Sequence, residues 1–164
     1  MMNITDTPLS ALDQLFIDSA KCCMIAGQYK ETEDKHKMQQ WGYIHEELKE
    51  LLAAIEQGDL VEQLDGVVDL LVTTFGFMVK LQQQGADISK AMIKTGKNNL
   101  SKFPVDRSVV EDTLKFYTDK GKECTSSYCG LNNRWVIRDM NGKYQKPKGF
   151  VENDLSDCFP VKKG

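Results

Sequence analysis

No stretch of this 164-residue chain is apolar over the roughly 18 consecutive residues that a membrane-spanning helix requires. Basic residues do not dominate either, since the net charge at pH 7 is -3, which disfavours a general nucleic-acid-binding protein. The amino-terminal segment lacks the positive start and the apolar stretch of a signal peptide. We therefore expect a cytoplasmic protein that binds neither a membrane nor nucleic acid.

Histidine and cysteine are sparse and poorly placed for zinc or disulfide chemistry. The chain has two histidines and five cysteines. Cys124 and Cys129 have no second pair of cysteines or histidines nearby to complete a zinc site. Cys22 and Cys23 are adjacent and the total is odd, which argues against a disulfide framework. The cysteines therefore fit a reducing compartment.

Helical patterns fill the first part of the chain and are followed by a segment of different character. Apolar spacing, with Gly, Asp, Ser and Thr at the boundaries, predicts four helices. Their predicted spans are Ser10 to Gly27, Thr32 or Asp34 to Gly58, Asp59 to about Gln84, and Asp87 to about Gly96. We therefore predict an all-α catalytic domain over residues 1–103 and a carboxyl-terminal extension over residues 104–164.

The extension contains its own structural signals. Ser108 and Glu111 have the spacing of a capping box, which predicts a short helix that stops at Gly121. Residues 134–139 and 143–145 flank an Asn-Gly pair, which is typical of a hairpin turn. We therefore expect a short helix and a small β-hairpin here.

The second predicted helix has acidic residues on one side. At 100° per residue, Glu46, Glu47 and Glu50 fall within a sector of about 100°. The opposite sector is apolar and contains Leu48, Leu51, Leu52 and Ile55. Taken alone, this pattern is more often the solvated face of an amphipathic helix than a site.

The third predicted helix is apolar over most of its circumference, so we expect it to be buried nearly all round. Yet Glu62, Asp65 and Asp69 share one narrow strip of it. Carboxylates in such a place are unfavourable unless a cation or a donor compensates them. Small residues border the strip and are expected to leave room for a ligand: Gly66, Thr73 and Gly76.

The two acidic helices are expected to face each other. The connection over residues 57–59 is short, which predicts antiparallel neighbours. Oxygen-rich sites of this kind suit Mg²⁺ or Mn²⁺. Two alternatives remain: the strip pairs with Lys or Arg from another helix, or the chain is a non-catalytic helical oligomerisation or binding module. Because one chain of this size cannot cover an all-round apolar helix, we also expect a homodimer or homotetramer.

These motifs resemble those of the MazG-like all-α nucleoside triphosphate pyrophosphohydrolase superfamily, whose hallmark is EExxE on one helix and ExxD on the next. Residues 46–50 match the first half completely. In the second half the family's glutamate aligns with Gly66 and its aspartate with Asp69. Asp65 or Glu62 offers a replacement acid, and the run over residues 62–71 resembles a variant of bacterial and phage-type members.

Two downstream segments extend the resemblance. Residues 97–102, with the sequence KNNLSK, resemble the family's RSNMSK segment. Residues 143–155 resemble the closing K-P-x-G-Y…DL segment of some members. The resemblance implies that Lys97, Asn99 and Lys102 reach the phosphates or the sugar of the substrate.

The resemblance also implies a fold and a reaction. The fold is a four-helix bundle completed by oligomerisation. The reaction is attack of water on the α-phosphorus of a nucleoside triphosphate, with dGTP, dCTP or dUTP as candidate substrates. Two or three Mg²⁺ ions, or Mn²⁺ ions, are implied. Their implied ligands are Glu47, Glu50, Glu62, Asp65 and Asp69, with Glu46 and Glu47 as catalytic residues.

Overall fold

The computed structural model describes residues 9–160. Within them the helices are α1 (Leu9–Ile25), α2 (Asp34–Gln57), α3 (Leu60–Gln83), α4 (Ile88–Ser101) and α5 (Arg107–Thr118). Two strands follow, β1 (Cys124–Cys129) and β2 (Arg134–Asp139). The predicted fold class, mostly helical with a small hairpin near the carboxyl terminus, is confirmed. None of the helices described is both long and apolar enough to cross a bilayer.

The chain divides into two compact units at Ile88. The first unit holds α1, α2 and α3, and the second holds α4, α5 and the two strands. The domain boundary predicted after residue 103 is not tested by this division and stays a prediction.

In the first unit, α2 and α3 form the predicted antiparallel pair. Gly58 ends α2 in the left-handed conformation, with φ of 71°. Asp59 begins α3, and its carboxylate accepts hydrogen bonds from the backbone N–H groups of Val61 and Glu62. Gly58 thus caps the carboxyl end of α2 and Asp59 caps the amino end of α3, which confirms the predicted boundary between the two helices.

Two glycines on α3 allow α2 to approach closely. A Cβ on Gly66 would lie 3.2 Å from the Cβ and 3.3 Å from the Cα of Leu51. A Cβ on Gly76 would lie 2.8 Å from Nε2 of Gln40, which donates to the carbonyl oxygen of Thr73 at 2.9 Å. The expectation that these small residues leave room for a ligand is therefore wrong, because side chains and backbone of α2 fill the space.

Helix α1 packs against the second half of α3. The rings of Phe16 and Phe75 meet edge to face with centroids 5.1 Å apart. Val79, one turn after Phe75 on α3, is also buried. Lys80 is only 3% exposed, with Nζ 3.4 Å from the carbonyl oxygen of Gln28 and 3.7 Å from a carboxylate oxygen of Glu31. Buried apolar contacts thus concentrate in the carboxyl-terminal half of α3.

The amino-terminal half of α3 is different. The sequence predicted a helix buried nearly all round, with cover that one chain cannot fully supply, and within this single chain an apolar stripe of α3 is exposed, so its burial in an assembly stays a prediction. The stripe consists of Leu60, Val61, Leu64, Val67, Val68 and Leu71, with exposures between 36% and 78%.

In the second unit, α4 continues past its predicted end at Gly96 to Ser101. A glycine inside a helix costs only about 1 kcal/mol relative to alanine, so neighbouring interactions readily override it. Here the guanidinium Nη1 of Arg134 donates to the carbonyl oxygens of Leu100, at 3.2 Å, and Phe103, at 2.8 Å. A cation at the carboxyl end of a helix is stabilising, which favours the longer helix.

Helix α5 is confirmed, but its predicted cap is wrong. The N-cap is Asp106, and Ser108 lies inside the first turn. Glu111 accepts a hydrogen bond from Nε of Arg107 at 2.9 Å, an i to i+4 ion pair within the helix. The chain after α5 turns at Gly121, which has φ of 71°.

The hairpin forms with a different partner strand. Strand β2 pairs antiparallel with β1, from Cys124 opposite Asp139 to Cys129 opposite Arg134. The predicted partner, residues 143–145, makes only an isolated bridge at Tyr144. The polar sequence of β1 lacks the apolar alternation of a strand, which explains why sequence reasoning passed over it.

The close approach of α2 and α3 predicts opposite effects for two glycine substitutions. Gly66→Ala should lower the free energy of unfolding by about 1–3 kcal/mol, because the new Cβ overpacks against Leu51. Gly42→Ala on α2 has open space around it and should raise this free energy by about 0.5–1 kcal/mol. Urea unfolding of the two variants and the wild type measures both changes. A stabilising Gly66→Ala would contradict the proposed packing.

Candidate functional site

The predicted acids lie on the paired helices α2 and α3. On α2, Glu47 is half-buried, and Glu46 and Glu50 are exposed. On α3, Asp69 is half-buried and Asp65 is exposed. The expectation that the whole strip of α3 is buried does not hold within this chain, since Glu62 and Asp65 are exposed and Asp69 is half-buried.

The pKa of Glu47 is affected by four of the other carboxylates. Burial raises the pKa of Glu47, and the negative charges of its neighbours raise it further. In order of effect these neighbours are Asp69, Glu50, Glu46 and Asp65. Glu62 is not among them. The structure thus groups five residues into what we call the acidic cluster: Glu46, Glu47, Glu50, Asp65 and Asp69.

Nothing basic compensates the acidic cluster within residues 9–160. None of its members, and not Glu62, forms an ion pair there with Lys, Arg or His. Every charge that acts on the pKa of Glu47 is itself a carboxylate. The alternative in which the strip pairs with Lys or Arg of another helix therefore has no support in the described part of the chain.

The donor set of the acidic cluster suits a hard divalent cation. Magnesium and manganese prefer oxygen ligands, and carboxylates supply both the oxygens and the charge. In the part of the chain that the structure describes, no three acidic, histidine or cysteine side chains are close enough to hold a metal ion as they stand. The acidic cluster thus supplies suitable donor atoms, but the described residues do not bring three of them into a metal-binding arrangement.

The three predicted substrate-binding residues lie on α4 or immediately after it. Nζ of Lys102 donates to the side-chain oxygen of Asn99 at 2.7 Å. Lys97 is exposed and lines a cavity of about 400 Å³ together with Lys94, Asn98 and residues 151–154. The structure therefore joins Asn99 to Lys102 and places Lys97 beside the closing segment of the chain.

Three residues of α4 that sequence reasoning missed hold this closing segment and the residues just after it. Asn98 donates to the carbonyl oxygen of Val151 at 2.8 Å. Lys94 binds the carboxylate of Asp157 at 2.6 Å, and Lys90 binds the same carboxylate at 3.1 Å. These two lysines lower the pKa of Asp157 to about 2. The segments over residues 97–102 and 143–155 both resemble segments of the family. This shared resemblance was the sequence signal that could have indicated contacts between them.

Three aromatic residues of the first unit have different roles. Phe16 belongs to the packing between α1 and α3. The hydroxyl of Tyr43 accepts a hydrogen bond from Gln39. The ring of Trp41 stacks on His45 with centroids 6.0 Å apart, and it is 49% exposed. Trp41 is thus the most accessible of the three.

Comparison with protein-family models places this geometry in a known class. The model of phosphoribosyl-ATP pyrophosphohydrolase matches residues 9–97, which is more than half of the chain and includes the whole acidic cluster. The chain belongs to this family, which is part of the MazG-like nucleoside triphosphate pyrophosphohydrolase superfamily. The family indicates a nucleotide pyrophosphohydrolase-type activity. Searches of curated proteins and of solved structures found no match.

The repulsion within the acidic cluster predicts how charge removal changes stability. In EDTA, Asp69→Asn and Asp65→Asn should each raise the melting temperature, because each removes a negative charge that acts on Glu47. Exposed charge pairs contribute about 0.2–1 kcal/mol, so a rise of roughly 1–3 °C is expected. Differential scanning calorimetry measures it.

Glu62→Gln is the matched control for these two variants. It also removes one charge from α3, but Glu62 is not among the main charges that act on Glu47, so its melting temperature in EDTA should stay close to that of the wild type. A loss of about 3 kcal/mol or more in Asp69→Asn would instead indicate that a buried basic partner had been left unpaired, and would contradict the cluster described above.

Proposed function

We propose that this chain is a Mg²⁺- or Mn²⁺-dependent pyrophosphohydrolase that converts a nucleoside or deoxynucleoside triphosphate and water to the monophosphate and pyrophosphate. The observation that supports this most directly is the acidic cluster, in which four carboxylates raise the pKa of Glu47 and no member has a basic partner in residues 9–160. Carboxylates without a counter-charge repel one another, and bound cations would relieve this repulsion. Phosphoryl transfer depends mainly on positioning and charge neutralisation, which bound cations would also provide.

Four residues are proposed as metal ligands, namely Glu47, Glu50, Asp65 and Asp69. We prefer Asp65 to Glu62 as the replacement for the family's glutamate, because Asp65 acts on Glu47 and Glu62 does not. When bound, two or three divalent ions neutralise the triphosphate and lower the pKa of the attacking water.

The remaining roles fall to charged and polar side chains around the reaction. Glu46 is exposed beside Glu47, and these two residues would orient the water and accept its proton. Lys97 and Lys102 would offset the charge of the departing pyrophosphate, and Asn99, which holds Lys102, would position it.

The substrate class is a nucleoside triphosphate, and we propose dGTP, dCTP and dUTP as the first candidates. A non-catalytic oligomerisation or binding module is the second candidate, favoured by the exposed apolar stripe of α3. An activity assay distinguishes these two candidates, because a module without activity gives no product with any nucleotide.

Hydrolysis should require Mg²⁺ or Mn²⁺ and should stop in EDTA, because the acidic cluster has no other counter-charge in the described chain. A panel of ribo- and deoxyribonucleoside triphosphates, analysed by anion-exchange chromatography, should yield pyrophosphate and a monophosphate in equal amounts. Release of a single phosphate with a nucleoside diphosphate would mean attack at the terminal phosphorus and would refute the proposed reaction. No product from any nucleotide would favour the binding module.

We also propose a homodimer or homotetramer in which the apolar stripe of α3 is covered. Leu60, Leu64 and Leu71 recur at helical spacing and are 78%, 68% and 37% exposed. Helix α2 adds exposed apolar residues at successive spacings of three, seven, four and three. These are Met38, Trp41, Leu48, Leu52 and Ile55. Stripes of this spacing on adjacent helices are typical of helix–helix interfaces.

The assembly predicts a position-specific effect of charge. Leu64→Glu places a carboxylate in the middle of the stripe and should convert the oligomer to a monomer, measured by light scattering coupled to size exclusion. Ile25→Glu introduces the same charge at an exposed residue of α1, 87% accessible, and should leave the oligomer intact. A wild-type chain that is monomeric at micromolar concentration would refute the proposed assembly.

A further inference from the structure

The second unit contains a cavity that the proposed reaction does not use. It lies between the end of α4 and one face of the hairpin, and its volume is about 420 Å³. Its lining residues are Leu100, Phe103, Cys129, Asn132, Arg134 and Val136. This volume falls within the range of roughly 300–1,000 Å³ that is usual for small-molecule sites.

The cavity lies on the side of the hairpin that faces away from α5. Arg134 and Val136 are two residues apart on β2 and therefore share one face. The other face holds Ile137, which is 1% exposed, and Trp135, whose ring lies 5.8 Å from the guanidinium of Arg107 on α5. Because α5 packs on that second face, it leaves the cavity face accessible to a ligand.

Arg134 is positioned to bind an anion in this cavity. Its Nη1 donates to the carbonyl oxygens of Leu100 and Phe103, which fixes the guanidinium. A guanidinium has five N–H donors, and the three on Nε and Nη2 have no acceptor among the residues that the structure describes. No acidic residue lines the cavity. An immobilised guanidinium with free donors is well suited to a phosphate group.

The other lining residues suit a planar ring. Phe103 offers an aromatic surface, and its contact with Tyr144, with centroids 5.7 Å apart and planes at 77°, holds the ring in place. Leu100 and Val136 add apolar walls. The side-chain amide of Asn132 has both a donor and an acceptor, the combination that binds the edge of a nucleobase.

The charge of the surrounding unit favours an anionic ligand. Residues 89–161 contain thirteen lysines and arginines against nine aspartates and glutamates, a net charge of +4. Residues 1–88 contain six against fifteen, a net charge of -9. Positive charge is thus concentrated in the unit that contains the cavity, and such a field raises the local concentration of anions.

We propose that this cavity is a second nucleotide site and that it binds a nucleoside monophosphate. Phe103 stacks on the base, Asn132 binds the base edge, and Arg134 binds the phosphate. The choice of a monophosphate rests on the proposed function, because a monophosphate is the product of that reaction. Binding here requires no divalent cation, since no carboxylate lines the cavity, and this separates it from the acidic cluster.

Calorimetric titration of the full chain in EDTA tests the proposal. Ribo- and deoxyribonucleoside monophosphates with each base are the probes, and at least one should bind. Asn132→Asp places a carboxylate in the cavity and should weaken that binding tenfold or more. Phe103→Leu keeps the apolar surface but loses the aromatic ring and should weaken it by roughly tenfold. Asn141→Asp adds the same charge on an exposed turn outside the cavity and should leave the affinity unchanged.

The Asp69→Asn variant makes the result independent of the proposed reaction. It should bind the monophosphate as the wild type does, whether or not the wild type hydrolyses a triphosphate. Three outcomes would overturn the second site. These are no binding of any monophosphate in EDTA, loss of binding in Asp69→Asn but not in Asn132→Asp, and inorganic phosphate binding as tightly as the nucleotide. Circular dichroism of Phe103→Leu shows whether a loss of binding reflects unfolding.

Discussion

Electrostatic repulsion among the carboxylates around Glu47 is the constraint that organises the first unit. Two helices must hold like charges together, and they do so through contacts that lie outside the acidic cluster. Gly66 permits the backbone of α2 to approach, and Gln40 ties the helices together through the carbonyl oxygen of Thr73. The capped turn at Gly58 and Asp59 fixes the register between the helices. The favourable packing of the helix pair thus offsets the unfavourable charge that the site requires.

Much of this arrangement could be predicted from the sequence, because the signals are local. Helix boundaries at Gly58 and Asp59 follow from backbone conformation and capping, which depend on a few adjacent residues. The convergence of acids on Glu47 follows from helical periodicity and from a two-residue connection. Which acid of α3 lies nearest to Glu47 could not be predicted, because it depends on the rotation of α3 about its axis, and that rotation is set by packing at Gly66 and Gly76.

The second unit was less predictable because its signals are not local. Its elements depend on partners that are distant in the chain. The end of α4 depends on Arg134, and the partner of β2 is a polar strand without alternating apolar residues. The predicted burial of α3 is only partly present within one chain, since apolar residues indicate that a surface avoids water but do not identify what covers it.

The bond between Arg134 and the end of α4 has a consequence for how the chain acquires its structure. The two carbonyl oxygens that Arg134 binds lie 34 and 31 residues earlier in the sequence. During synthesis the last turn of α4 therefore emerges well before the side chain that completes it, and until then this turn can fray. The segment that matches the family ends at Lys97, inside α4, so the matched segment stops short of the helix end that Arg134 closes. A residue beyond the matched segment thus stabilises a helix that begins inside it.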